Sequence, residues 1–181
     1  METTVDKSQL HVEANKQIVR DYFDGFWVGR DPAVADRFLA EDVLFHDLVD
    51  NPLGLPPGRE GVKKIASIFW NAAPDLEMTL DDLLAEGDKV VLRFNNILTH
   101  TGELAGLPPT HRTAEFAGIA IVRVAGGKIV EGWQVMDFVT AYQQLGVMPA
   151  GPPPAPLKLI IGVRGKLYAR KKRKQASGAA R

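Results

Sequence analysis

The sequence predicts an α+β fold in which helices pack against an antiparallel sheet. Helical spacings of apolar residues dominate before residue 74, whereas apolar and polar residues alternate in long stretches after it. Helices followed by a run of strands are typical of α+β domains. The chain has 181 residues, of which 45% are hydrophobic, enough for one domain with a sizeable core. A curved sheet covered by helices leaves a concave pocket, where small-molecule sites usually lie.

The first half of the chain predicts three helices and one short strand. The first helix ends at Gly29 and has one apolar face, formed by Ile18, Val19, Tyr22, Phe23, Phe26 and Trp27. The second begins at Asp31-Pro32, an N-cap followed by proline at the first helical position. A strand over residues 43–46 and a loop rich in Pro and Gly over 51–58 come next. The third helix covers residues 60–73 and ends before Pro74.

The second half of the chain predicts four more strands. Leu76, Met78 and Leu80 alternate with polar residues, and residues 90–94 alternate in the same way. Two long strands follow over residues 114–124 and 128–138. Between these two strands, Ala125-Gly126-Gly127 predicts a hairpin turn.

Charge is distributed unevenly along the chain, although the 22 basic and 22 acidic residues cancel. Residues 157–181 hold nine basic residues and no acidic one, so an acidic domain precedes a basic tail. The sequence therefore predicts an N-terminal extension (1–12), a domain (13–147), a Pro-rich linker (148–156) and a basic C-terminal tail (157–181). A solvated or self-docked tail is the favoured interpretation. Contact with nucleic acid or with an anionic membrane is the less favoured one.

Several classes of chemistry lack the residues they require. The absence of Cys excludes disulfides, thiolate nucleophiles and Cys-ligated zinc. The four His residues show no ligand spacing, and no Gly-rich phosphate loop is present, so we expect neither a metal nor another cofactor. No apolar run has the length of a membrane span, and residues 1–13 lack the pattern of a secretory signal. The cytoplasm is therefore the expected location.

Two motifs resemble the SnoaL-like polyketide cyclase family. Residues 100–112 read His-x-Gly and then Gly-x-Pro-Pro-Thr, as that family does between its two long strands. Residues 127–133, followed by Asp137 and Gln144-Leu145-Gly146, look like its last strand and closing turn. The similarity spans roughly residues 13–147. It implies the cone of the nuclear transport factor 2-like fold, a bent antiparallel sheet with three helices around a deep pocket, usually as a homodimer.

The resemblance also locates candidate catalytic positions. The family's aldol-type cyclases carry an acid/base Asp one residue after the Trp position and a His on the neighbouring strand. These positions fall on Gln134 and Ala120 here. Glutamine cannot exchange a proton near pH 7, so we expect Gln134 to orient the substrate by hydrogen bonds. Asp47 is then the best remaining base, because ketosteroid isomerases that resemble this fold place their Asp at this strand end. His46 is expected as its partner or as the base itself.

The expected function is that of a cofactor-independent, polyketide cyclase-like enzyme. It would close a ring in, or isomerise, a hydrophobic biosynthetic intermediate by acid/base chemistry or by proximity alone. Flat, apolar substrates suit aromatic walls. The expected substrate-binding residues are Tyr22, Phe26, Trp27, Phe69, Trp70, Phe116, Ala120 and Met136, with Trp133 as a further candidate.

Two alternatives stay open. One is an epoxide hydrolase or epoxide-opening cyclase on the same fold, in which Asp47 would work with Asp137 or Glu115. The other is a non-catalytic protein that binds a small molecule, which the presence of Gln134 and Ala120 at the acid/base positions favours.

Overall fold

The computed structural model describes residues 7–46 and 53–151. The first 148 residues, Met1–Met148, cluster as one compact unit. Its helices are α1 (Lys7–Tyr22), α2 (Ala33–Phe38), α3 (Gly58–Ala72) and α4 (Phe138–Gln144), and a π-helical turn (Phe23–Val28) continues α1. Its strands are β1 (Leu39–Phe45), β2 (Glu77–Glu86), β3 (Lys89–Thr99), β4 (Thr113–Ala125) and β5 (Lys128–Met136). The basic tail lies outside the described residues, as does most of the Pro-rich linker.

The five strands form one sheet in the order β1-β5-β4-β3-β2. Strands β2 to β5 pair antiparallel through two tight hairpins and the longer β3–β4 connection. Strand β1 instead runs parallel to β5, which differs from the wholly antiparallel sheet that the sequence predicts. A hairpin would force two strands to run antiparallel, but β1 and β5 are not joined by one. The chain leaves β1 for α3 instead, so β1 can pair with the β5 edge in the parallel direction. The α+β class and the bent sheet wrapped by helices are otherwise as predicted.

Alternating burial gives the sheet an inner face, which points toward the helices, and an outer face. Along β4 every second side chain from Ala114 to Val124 is buried, and the residues between them are mostly exposed. Strand β3 alternates in the same way from Val90 to Leu98. The main core forms where the inner face meets α1, the π-helical turn and α3. The pocket described below lies within this layer.

Two glycines let aromatic rings lie flat on the inner face. Gly118 on β4 pairs with Phe94 on β3, and a Cβ atom at residue 118 would overlap the Phe94 ring. Gly132 on β5 pairs with Phe45 on β1, and a Cβ atom there would overlap the Phe45 ring. The glycines therefore set how closely both rings approach the sheet.

Two features at the helix ends were not predicted from the sequence. The π-helical turn replaces the regular end of α1 before Gly29, whose backbone N–H donates to the Asp24 carbonyl at 2.7 Å. Helix α4 occupies the stretch for which only a closing turn was expected, and it packs a second, smaller core against β4. Among the residues that the structure describes, no helix is long and apolar enough to cross a membrane.

Candidate functional site

An apolar pocket lies between the inner face of the sheet and the helices α1 and α3. Seven aromatic side chains line it: Tyr22, Phe23, Trp27, Phe45, Phe69, Phe94 and Phe116. Aliphatic side chains such as Val19, Ile65 and Leu92 fill the remaining wall. Among the lining residues that the structure describes, only a few polar side chains interrupt this surface, chiefly Gln134 and Asn96. Such a pocket suits a flat, apolar ligand that carries a small number of polar groups.

Most of the expected substrate-binding residues lie at this pocket. Tyr22, Trp27, Phe69, Phe116, Ala120 and Met136 all line it, as does Gln134. Phe26 and Trp70 do not belong to the described lining. Phe26 is completely buried in the core, with its ring centroid 5.1 Å from Trp27 and 5.4 Å from Trp70.

The π-helical turn explains why Trp27 lines the pocket and Phe26 does not. In a regular α-helix, residues four apart share a face, which would place Phe26 beneath Tyr22 at the pocket. The wider π turn, with its i to i+5 bonding, instead aligns Trp27 with Tyr22. Phe26 stacks on Tyr22 at 5.2 Å and stays inside the core. A helical period of 3.6 residues could not foresee this one-residue shift.

His46 and Trp133 lie on the outer face, away from the pocket. The His46 Nε2 atom is 2.8 Å from a Glu131 carboxylate oxygen, and its ring stacks on Trp133 at 4.7 Å. The Nε of Arg123 donates to the second Glu131 oxygen at 2.8 Å. The bonds from His46 and from Arg123 hold the pKa of the Glu131 carboxyl below its ordinary value. Because successive side chains of a strand point to opposite faces, the inward position of Phe45 places its neighbour His46 outside.

Asp47, the expected base, lies outside the described residues. Asp137 and Glu115, the two carboxylates that the epoxide alternative offers as partners for Asp47, are engaged elsewhere. Asp137 caps α4 by accepting hydrogen bonds from the Thr140 backbone N–H (2.9 Å) and hydroxyl (2.6 Å), which lower its pKa. Glu115 accepts a bond from the Asn95 amide at 2.8 Å. Neither residue belongs to the described pocket lining.

His100 holds the loop between β3 and β4. It is buried, and its Nδ1 accepts a hydrogen bond from the Thr110 backbone N–H at 3.2 Å. Its own backbone exchanges hydrogen bonds with Arg112 and His111 at 3.0 and 2.9 Å. The resembling motif around residues 100–112 therefore has a structural role in closing this loop.

Comparison with known proteins identifies the family. Residues 17–145 match the family model described as SnoaL-like polyketide cyclase. The chain belongs to the SnoaL-like polyketide cyclase family. None of the curated proteins compared with it matches.

Several solved structures resemble the fold of this chain. TsrD from Streptomyces laurentii is 26% identical, with a TM-score of 0.66, and the match covers 80% of this chain and 99% of TsrD. IdmH from Streptomyces antibioticus, described as a candidate polyketide cyclase, is 31% identical, with a TM-score of 0.62 and coverage of 73% and 98%. A candidate polyketide cyclase from Bacillus cereus is 30% identical, with a TM-score of 0.62 and coverage of 74% and 82%. The family and these relatives support a cyclase-like role.

In this SnoaL-like chain, the two positions expected to carry an acid/base pair are direct neighbours. Ala120 on β4 and Gln134 on β5 are register partners, and both line the pocket. Asn96 on β3 adds a second amide to the wall. It is buried, and its Nδ2 donates to the Phe116 carbonyl at 3.0 Å. None of the lining residues that the structure describes carries a carboxylate or an imidazole.

Sequence reasoning did not select Asn96, Phe94 or Phe45 as site residues of this SnoaL-like pocket. A signal for Asn96 existed, because it continues the alternation of Leu92 and Phe94 and is therefore a polar residue in an apolar row. No comparable signal marked Phe45, which needed the register of β1 against β5. Within residues 7–46 and 53–151, no group of three His, Asp or Glu side chains is arranged to hold a metal ion.

Proposed function

We propose that this chain is a cofactor-independent, polyketide cyclase-like enzyme that closes a ring in, or isomerises, a hydrophobic biosynthetic intermediate. The observation that carries the proposal is the aromatic pocket itself, interrupted by the Gln134 amide beside Ala120. The apolar wall binds a flat substrate and excludes water from it. Exclusion of water strengthens every polar contact made inside.

The proposed reaction is an intramolecular aldol-type closure. The Asp47 carboxylate takes a proton from the carbon next to a carbonyl group, and the electron pair of that C–H bond forms an enolate. The enolate carbon attacks a second carbonyl carbon of the same molecule, so that a C–C bond forms and an alkoxide results. The alkoxide then receives the proton from Asp47. Gln134 contributes by a hydrogen bond that orients a carbonyl group, because its amide does not titrate near neutral pH.

Exchange of the α-proton in deuterated water tests the proposal. The substrate is a polycyclic β-ketoester analogue, and NMR follows the loss of its α-proton signal. We expect protein-dependent exchange that Asp47→Asn abolishes and that Gln134→Leu slows. His46→Ala is the matched control, because His46 lies on the outer face and its loss should leave the rate unchanged. Exchange that depends on His46 and not on Asp47 would overturn the assignment of the base.

A second candidate, a non-catalytic binding protein, is favoured by the absence of carboxylates and imidazoles from the described lining. The same experiment separates the two candidates. Binding of the analogue without any exchange would favour the binding protein. Catalysed exchange would exclude it.

We also propose a homodimer that forms through the outer face. Four adjacent apolar side chains of β4 and β5 form one patch there: Ile119, Ile121, Trp133 and Val135. Val135 is 77% exposed and Ile119 is 50% exposed, so a second copy would remove a large apolar area from water. Light scattering on a sizing column should give a molar mass twice that of one chain. For Val135→Lys the measured mass should fall to that of a single chain. A monomer at micromolar concentration would contradict this proposal.

A further inference from the structure

The Tyr22 hydroxyl is a hydrogen-bond donor for which the described residues offer no acceptor. The side chain lines the pocket and is only 6% exposed. Its hydrogen finds no acceptor within residues 7–46 and 53–151. A buried polar group without a partner is unfavourable by about 1–3 kcal/mol, so its presence calls for an explanation.

The Trp27 indole, which lowers the pKa of Tyr22 by hydrogen bonding, cannot accept the Tyr22 proton. An indole N–H is a donor only. Burial raises the pKa of Tyr22 well above its ordinary value, and the Trp27 indole opposes this rise only in part. The hydroxyl therefore stays protonated at neutral pH, and its hydrogen is available to an acceptor inside the pocket.

Packing fixes the position of this hydroxyl. The Tyr22 ring stacks on the fully buried Phe26 at 5.2 Å with an interplanar angle of 13°. The π-helical turn that follows brings Trp27 to the same wall. A donor held by stacked rings loses little conformational freedom when it binds a ligand, which favours specific recognition.

We infer that the Tyr22 hydroxyl binds a ligand oxygen, so that the pocket selects flat apolar molecules that carry a ketone or enolate oxygen. The inference rests on the proposed function in one respect, namely that this oxygen belongs to a substrate. The other polar side chains of the described wall, Asn96 and Gln134, come from the sheet, whereas Tyr22 comes from α1. An enolate oxygen carries more negative charge than the ketone, so the hydrogen bond from Tyr22 strengthens as the enolate forms.

A matched pair of ligands tests this inference by titration calorimetry. The probes are 9-fluorenone and fluorene, two tricyclic molecules of nearly the same shape, of which only the first carries a carbonyl oxygen. We expect the intact protein to prefer fluorenone, and Tyr22→Phe to weaken fluorenone binding about fivefold, the effect of one neutral hydrogen bond. Fluorene binding should remain unchanged. Tyr142→Phe is the control, because Tyr142 stacks on Phe138 in α4 and does not line the pocket.

The infrared spectrum of bound fluorenone gives a second measurement that requires no variant. Its carbonyl stretch on the intact protein should lie below the frequency in a hydrocarbon solvent, because a hydrogen bond weakens the C=O bond. A hydrocarbon-like frequency would overturn the inference. So would an unchanged ligand preference in a Tyr22→Phe protein with native circular dichroism, or a preference that only Gln134→Leu removes.

The two proposals fail in different ways. A fluorenone preference that depends on Tyr22, together with no α-proton exchange, would leave Tyr22 as a ligand donor and refute the cyclase. If the protein catalyses α-proton exchange and Tyr22→Phe changes neither the exchange rate nor fluorenone binding, the role of Tyr22 is refuted and the cyclase proposal stands. If neither tricyclic probe binds, both the ligand class and the role of Tyr22 are wrong.

Discussion

The inner and outer faces of β4 and β5 present different kinds of side chain, although one step along a strand separates them. The inner face carries Phe116, Ala120 and Gln134 and borders the apolar pocket. The outer face carries Glu131 with its partners His46 and Arg123, and the ring of Trp133. Titratable groups are therefore concentrated outside, and apolar and amide groups inside. A residue type that suits catalysis is thus a poor guide to the site unless the phase of its strand is known.

The two faces should differ most in how much the free energy of unfolding falls when a large side chain is removed from each face of the same strand. Phe94 is buried on the inner face of β3, whereas Ile97 is 41% exposed on the outer face. We expect Phe94→Ala to lower the free energy of unfolding by about 3–5 kcal/mol, because it leaves a cavity beside Phe23. Ile97→Ala should lower it by less than about 1 kcal/mol. Urea denaturation measures both, and equal losses would contradict the comparison.

A carboxylate introduced on each face of β5 reports the two environments directly. In Gln134→Asp the new carboxyl faces the apolar pocket, and desolvation should raise its pKa to above about 5. In Val135→Asp it lies on the outer face, where the introduced charge should also break the proposed dimer and leave the carboxyl in water, so its pKa should stay near about 3.9. NMR titration of the labelled side chains measures both values. The same low value in both variants would show that water fills the pocket wall at residue 134.

The third comparison adds volume to neighbouring positions of β4. Gly118→Val places methyl groups where the Phe94 ring lies, so we expect a loss of about 1–3 kcal/mol in the free energy of unfolding. It should also weaken fluorene binding, since the displaced ring enters the pocket. Ala117→Val is the control, because Ala117 is exposed on the outer face. For Ala117→Val we expect the free energy of unfolding to change by less than about 0.5 kcal/mol.

The sequence contained most of the fold and only part of the site. Alternation in β3 and β4 was strong enough to predict which side chains face inward. The turn at Gly126-Gly127 was also predicted, but a β-bulge between Arg123 and Val124 shifts the β4–β5 register beyond it and pairs Ala120 with Gln134. The phase of β1 was not readable, because Val43, Leu44 and Phe45 are consecutive apolar residues and do not reveal which side faces the pocket. His46 was therefore expected at the site, and the structure places its neighbour Phe45 there. Phe26 and Trp27 were both expected at the site, and the absence of Phe26 from the described lining follows from the π-helical turn, for which no sequence rule is available.

The smallest expected effect concerns the outer face and depends on pH. Bonds from His46 and Arg123 lower the pKa of Glu131 in the folded protein, from an ordinary value of 4.5. A carboxyl whose pKa is lowered by folding stabilises the folded state above its unfolded pKa, and this contribution disappears as the pH falls through the folded pKa. The intact protein should therefore be slightly more stable than Glu131→Gln at pH 6, and the two should converge as the pH falls below about 4.5.

Denaturation at several pH values between 3 and 7 measures this convergence. Glu115→Gln is the matched control on the same face, since Glu115 accepts its hydrogen bond from the neutral Asn95 amide. The difference in free energy of unfolding between Glu115→Gln and the intact protein should vary less with pH than that for Glu131→Gln, because the Asn95 amide carries no charge. His46→Ala should remove part of the pH dependence and leave α-proton exchange unchanged. If His46→Ala instead changed the exchange rate, the separation of the two faces into a structural outside and a ligand-binding inside would be wrong.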